Sequence, residues 1–151
     1  MYFSNYKDED YNAVTEFLLV LVNEGKEHIN WNWARFEWMM EHPDMDRSSF
    51  GTIGLWWDER RVIGAAIYDM YFGEAFCGVL SNYRSILPEV MEYACSNLKD
   101  EDGLAIAIMD DDEDSAGVAE RLGFIKCDQR ENVMRYELDH IFSAKLPVGL
   151  S

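Results

Sequence analysis

Asp112-Glu113-Asp114-Ser115-Ala116-Gly117-Val118-Ala119-Glu120-Arg121-Leu122-Gly123-Phe124 is the stretch that decides how this chain is read. It predicts a short helix from Ser115 to Leu122, stopped by Gly123, a residue that takes a helix-ending left-handed conformation at no steric cost. Apolar Phe124 then opens a strand, about Phe124 to Asp128. Upstream, Val79-Leu80-Ser81-Asn82-Tyr83-Arg84 ends a strand and leads into a second amphipathic helix.

Working outward, Met1 to Tyr6 reads as a short strand. Asp8 can cap the helix that follows, in which Val14, Phe17, Leu18, Leu21 and Val22 recur at helical spacing until Gly25. A second helix, about Trp31 to Glu41, ends before Pro43. Phe50 to Trp57 and Val62 to Phe72 read as strands joined by a tight turn at Asp58-Glu59-Arg60, and Gly73 separates a third strand, Glu74 to Leu80. Trp56 and Trp57 are adjacent on a strand and face opposite sides, so at least one is expected outside the main core. Ser85 can cap a helix to about Leu98, with Pro88 tolerated in its first turn. Leu104 to Met109 is apolar on both faces, as an interior strand is, and Val133 to Leu138 reads as the last strand.

The 151 residues suit one domain, 1–139, followed by a tail or linker, 140–151. A hydrophobic fraction of 48% excludes disorder. The longest purely apolar run, Phe17 to Val22, is too short for a bilayer, so no membrane partner is expected. Cys77, Cys95 and Cys127 form no close pair and leave one over, which suits a reducing, cytoplasmic setting. His28, His42 and His140 are isolated from one another and from the cysteines, so no metal site is expected. The net charge of -16 argues against a nucleic-acid partner, because phosphates are repelled at every approach, and favours cationic ligands. Eight of the 29 acids fall between Asp100 and Asp114, which reads mostly as a solvated loop and helix start.

The order strand, two helices, three strands, helix, strand, helix, two strands resembles the GNAT superfamily of N-acetyltransferases over residues 1 to about 139. The family places Asn, a small residue and then Leu-Tyr-Glu-Lys-x-Gly-Phe near the second helix–strand junction. Here Asp112 stands at the Asn position and Val118 at Leu, while Glu120, Arg121, Gly123 and Phe124 match. Val79, Tyr83 and Arg84 match the earlier motif, with Ser81 where Pro is common, and Val62-Ile63-Gly64 is similar to the opening of the family's third strand. The resemblance implies an α/β fold with a central mixed sheet flanked by helices. It further implies a splayed strand pair that holds acetyl-CoA, and transfer of its acetyl group to a primary amine of a small acceptor by direct attack.

Carried onto this chain, the resemblance assigns the thioester to Cys77, Val79, Leu80, Arg84, Ser85, Ile86, Leu87, Glu89 and Asp112. Glu74 and Asp69 are the candidate general bases for the acceptor amine. Trp31, Trp33 and Trp38, crowded on the second helix, could hold a cationic acceptor by cation–π attraction; they could equally pack on the sheet. The chain departs from the family in two places. Arg84-Ser85-Ile86-Leu87-Pro88-Glu89 replaces all three glycines of the phosphate loop, and Ala119 stands where the family has the Tyr that protonates the departing thiolate. These departures favour a second reading, a GNAT-like domain that serves as a binding or interaction module. The Leu146-Pro147-Val148-Gly149 tail fits a linker to a second such domain, and a homodimer is the other expected assembly.

Overall fold

The computed structural model describes residues 1–24 and 31–129. The predicted strand at 133–138, the tail, Gly25, His28 and His140 lie outside them. The order of elements is β1 (Tyr2–Asn5), α1 (Tyr11–Asn23), α2 (Trp33–Glu41), β2 (Gly54–Asp58), β3 (Arg61–Asp69), β4 (Tyr71–Val79), α3 (Leu87–Asn97), β5 (Ala105–Ile106) and α4 (Glu113–Arg121). Short 3-10 turns cover Asp8–Asp10, Arg47–Thr52 and Ser81–Ile86. The sheet runs β1-β2-β3-β4-β5, antiparallel until the parallel β4–β5 pair. It is the expected mixed sheet with helices against both faces, and the order of elements follows the expected one as far as α4.

Helix ends follow local chemistry. Asn32 caps α2 by accepting from Arg35 N (3.1 Å), and Asp112 caps α4 by accepting from Ser115 N (3.1 Å). Near α1 the carboxylate that engages a backbone amide is Asp10, from Lys7 N (2.9 Å), rather than the expected Asp8. Asp8–Asp10 itself winds into a 3-10 turn ahead of the helix. Gly123 ends α4 at φ 90°. Val14, Phe17, Leu18 and Leu21 of α1 and Phe36 and Met39 of α2 are buried on one face of the sheet; Val90, Met91 and Ala94 of α3 are buried on the other. Each large apolar side chain of this kind contributes about 1.5–3 kcal/mol by leaving water.

The structure corrects several boundaries. The β3–β4 reversal lies at Met70, which takes φ 63°, and Gly73 sits inside β4. A non-glycine residue can hold the left-handed turn, so the strand continues through the glycine that sequence read as the break. Phe50 belongs to the Arg47–Thr52 turn, not to β2. Trp56 and Trp57 are both buried, at 5% and 6% exposure, because both faces of the sheet are covered at β2. Trp56 donates to Glu89 Oε1 of α3 (2.8 Å) and packs on Phe3 and Tyr93, whereas Trp57 donates to Ser4 Oγ (2.9 Å) and stacks under Tyr2. Phe124 to Asp128 carries no strand, and β5 spans two residues at the sheet edge, among the described residues.

Candidate functional site

β4 and β5 are in register only at Glu74↔Ala105 and Ala75↔Ile106. Beyond this ladder β4 runs on to Val79, still paired with β3 through Gly78↔Ala65 and Val79↔Gly64. The chain after Ile106 leaves it, and between them lies a cavity of about 490 Å³. Apolar side chains from both faces of the sheet line it, Leu21 and Phe76 on the α1 side and Val79 and Met91 on the α3 side, facing Ile106 and Ile108. Its mouth is polar: Arg84, Asp111, Asp112, Glu113, Asp114 and Ser115. This is the neighbouring, splayed strand pair that the resemblance predicted.

Phe76 shapes the apolar end. Its ring stacks on Trp31 at 5.6 Å and covers Gly78, where an added Cβ would meet Phe76 Cζ at 2.5 Å. Trp31 is 5% exposed, so its face is spent on Phe76 and Phe36 inside the core. Cys77 also lines the cavity, and burial pushes its thiol well above the ordinary cysteine range, so it stays protonated at neutral pH.

Of the residues expected to hold a thioester, Cys77, Val79, Arg84 and Asp112 line this cavity. Leu80 and Leu87 are core residues at 2% and 1% exposure, and Leu80 N donates to Ile63 O (2.9 Å). Ile86 packs over Gly64, Ser85 is exposed, and Glu89 turns back to Trp56. Ser85 does not cap α3, because it lies inside the Ser81–Ile86 3-10 turn, which is kinked at Tyr83 and enters the helix through Ile86 without a side-chain cap. The turn engages its own amides, Tyr83 N to Leu80 O (2.8 Å) and Leu87 N to Arg84 O, while Ser81 N donates to Glu24 Oε2 (3.0 Å). Arg84 Nη2 donates to Asp112 Oδ1 (2.8 Å) and Ser115 Oγ (3.0 Å), with the two charged side chains only 20% and 23% exposed.

A second cavity, about 580 Å³, lies at the other end of the two-residue ladder. Asp69, Tyr71, Glu74, Asp100 and Asp102 line it, together with Phe72 and Gly73. Glu74 is exposed and makes no hydrogen bond or ion pair among the described residues. Asp69 is committed: Arg35 grips both its oxygens, Nε to Oδ1 at 3.0 Å and Nη2 to Oδ1 and Oδ2 at 2.8 and 2.9 Å. The same guanidinium lies 4.4 Å from the centre of the Trp38 ring, so the cation on Trp38 is the protein's own. The His42 ring also packs against Trp38, tilted by 58° with centroids 4.6 Å apart, and its Nδ1 accepts from Asp44 N. Trp33 is 42% exposed and donates to Glu37 Oε1 (3.0 Å), which also accepts from Tyr11.

Of Tyr68, Tyr71 and Tyr83, only Tyr71 lines either cavity. Tyr83 donates to Asp58 Oδ2 (2.6 Å), which together with partial burial raises its pKa, and burial raises that of Tyr68. Ala119 is buried, and its carbonyl accepts from Phe124 N (3.0 Å). Sequence reasoning passed over Arg35, Glu24 and Phe76. Arg35 had a visible signal, since three residues before Trp38 on one helix puts a guanidinium over the indole. Glu24 and Phe76 act through tertiary contacts that no spacing announces.

The uncharged inner lining of the first cavity, Leu21, Phe76, Val79, Met91, Ile106 and Ile108, suits the uncharged arm of a pantetheine thioester. The cavity does not fit a chain of phosphates: four carboxylates flank one arginine that is already paired, and the nearby turn has closed on its own amides. No family model and no curated protein matches this chain. Among solved structures, it is similar to a possible acetyltransferase from Clostridium difficile 630, with a TM-score of 0.47 and 15% identity over 92% of this chain and 98% of that one.

Proposed function

We propose that this chain is an N-acyltransferase of the GNAT kind that transfers an acetyl group from a pantetheine thioester, acetyl-CoA in the family, to a primary amine of a small cationic acceptor. One observation carries the reading: the wedge cavity and the acidic cavity lie at opposite ends of the two-residue Glu74–Ala75/Ala105–Ile106 ladder. An uncharged pantetheine arm in the β4–β5 wedge and an amine in the acidic cavity would face each other across that short ladder. When bound, the thioester supplies the activated carbonyl. The chain's own part is to hold the arm between Phe76, Val79, Met91 and Ile106, and to collect and orient the amine. Glu74 is the carboxylate free to take its proton, directly or through water, because Asp69 would first have to leave Arg35. Cytoplasmic residence belongs to the same proposal, supported by the three free thiols; no described helix is long and apolar enough to cross a membrane.

The carboxylate-rich mouth and the self-bonded 81–86 turn favour a second reading, a non-catalytic module of the same fold. Turnover of S-acetylpantetheine, which carries no phosphate, decides between them. Acetylated product from a panel of primary amines, measured by mass spectrometry above the rate without protein and lost in Glu74→Gln, is the expected result. No product from any amine with S-acetylpantetheine or acetyl-CoA would refute the enzymatic reading.

A further inference from the structure

The wedge supplies its own anion. Arg84 is the one cation lining the first cavity among the described residues, and its Nη2 is held by Asp112 Oδ1 at 2.8 Å and Ser115 Oγ at 3.0 Å. Arg84 Nε is buried with no hydrogen-bond partner. Asp112 is fixed as firmly as its partner. It caps α4 through Ser115 N (3.1 Å), and its Oδ2 accepts from Ser115 Oγ (2.7 Å). A carboxylate anchored at three points and mostly shielded from water stays on the guanidinium without paying the side-chain entropy that weakens exposed pairs.

We propose that Asp112 acts as a built-in phosphate substitute. Its carboxylate occupies the guanidinium that a phosphate-bearing thioester would otherwise engage, so the Arg84–Asp112 pair sets the selectivity of the wedge toward donors with few or no phosphates. The inference rests on the acyl-transfer reading for its biological meaning, but it concerns anion binding and is tested without turnover. A polyanion must draw Arg84 away from Asp112 and settle beside Asp111, Asp112, Glu113 and Asp114; a neutral pantetheine arm disturbs none of these charges. Charge-assisted hydrogen bonds are the stronger ones, so the pair decides more of the selectivity than the exposed acids around it.

Asp112→Asn is the informative variant, because Asn caps a helix as well as Asp does and α4 is retained. Calorimetric titration with free CoA and with inorganic pyrophosphate is carried out on the wild type, on Asp112→Asn and on Asp114→Asn, which removes the same charge from an exposed neighbour. We expect both probes to bind Asp112→Asn at least tenfold more tightly than the wild type, and Asp114→Asn to stay within about twofold of it. Equal affinity of wild type and Asp112→Asn, or an equal gain in Asp114→Asn, overturns the proposal. Circular dichroism establishes that each variant is folded. If Asp112→Asn does not fold, Asp112→Ser, which also removes the carboxylate and keeps a capping oxygen, is titrated instead, and CoA affinity equal to the wild type there overturns the proposal. S-acetylpantetheine turnover fails or succeeds independently of all these outcomes.

Discussion

Gly73→Ala should be the most damaging small substitution near the second cavity, for two separable reasons. The residue sits at φ 103°, where an L side chain is strained by about 1–3 kcal/mol. Its new Cβ would also lie 2.4 Å from Asp100 Oδ2 and 2.8 Å from Cγ, so the carboxylate must move. Asp100 cannot swing away freely, because Oδ1 accepts from Asp102 N and Gly103 N, both at 2.9 Å, and closes the turn ahead of β5. Loosening those two bonds costs about 0.5–1.5 kcal/mol each. The sum is roughly 2–6 kcal/mol, and at about 2–4 °C per kcal/mol for a domain of this size the Tm falls by on the order of 10 °C. Urea unfolding of wild type, Gly73→Ala, Asp100→Ala and the double variant separates the terms. In the Asp100→Ala background the clash is gone, and Gly73→Ala should cost only its conformational share, about 1–3 kcal/mol. An identical cost in both backgrounds would falsify the steric half of this reasoning, and a cost below about 0.5 kcal/mol in the wild type, the ordinary scatter of surface substitutions, would dispose of both halves.

Arg35→Ala should destabilise the protein by about 1.5–3 kcal/mol, since it leaves Asp69, 16% exposed, without its two-pronged partner; Arg35→Lys should recover only part, and full recovery in urea unfolding would show that geometry is irrelevant there. The tyrosines fix a pH dependence at the alkaline end. Burial, with Asp8 and Asp10 nearby, raises Tyr6 to about 12, and the hydrogen bond to Glu37 raises Tyr11 to about 12. A folded-state pKa above the unfolded value of ~10 means the folded protein keeps protons that the unfolded chain releases. Stability is therefore fully present below about pH 10 and is lost as pH rises toward 12. Tyr6→Phe should flatten that decline in unfolding experiments between pH 9 and 12, whereas an unchanged slope would place the burden elsewhere.

How far the sequence could be read depended on the range of the interaction involved. Helix periodicity and the Gly123 stop are local, and both were legible; the caps were not, since Asp8 and Ser85 were expected while Asn32 and Asp112 cap α2 and α4. The wedge was expected only through the resemblance, which sets the strand after α3 beside the one ending at Leu80. The turn at Met70 was hidden because only context lets a methionine take φ 63° while a glycine three residues on stays inside the strand. Leu87 and Ile86 stood in line with a phosphate loop, and only the packed structure reveals that they fill the core and cover Gly64. Asp69 and Trp38 carried the right chemistry for an acceptor site, yet Arg35, 34 residues from Asp69, already engages both.

The acidic mouth of the wedge also dictates how small ions take part in binding. Four carboxylates within one short segment, on a chain of net charge -16, gather sodium or potassium around them. An amine that docks there displaces some of that cloud, so its affinity falls as salt rises. A phosphate-bearing molecule must instead draw extra cations in with it, so its affinity rises with salt until screening, at a Debye length of ~3 Å in 1 M salt, removes the field altogether. The two ligand classes therefore respond to ionic strength with opposite signs, and moderate salt narrows the gap between them.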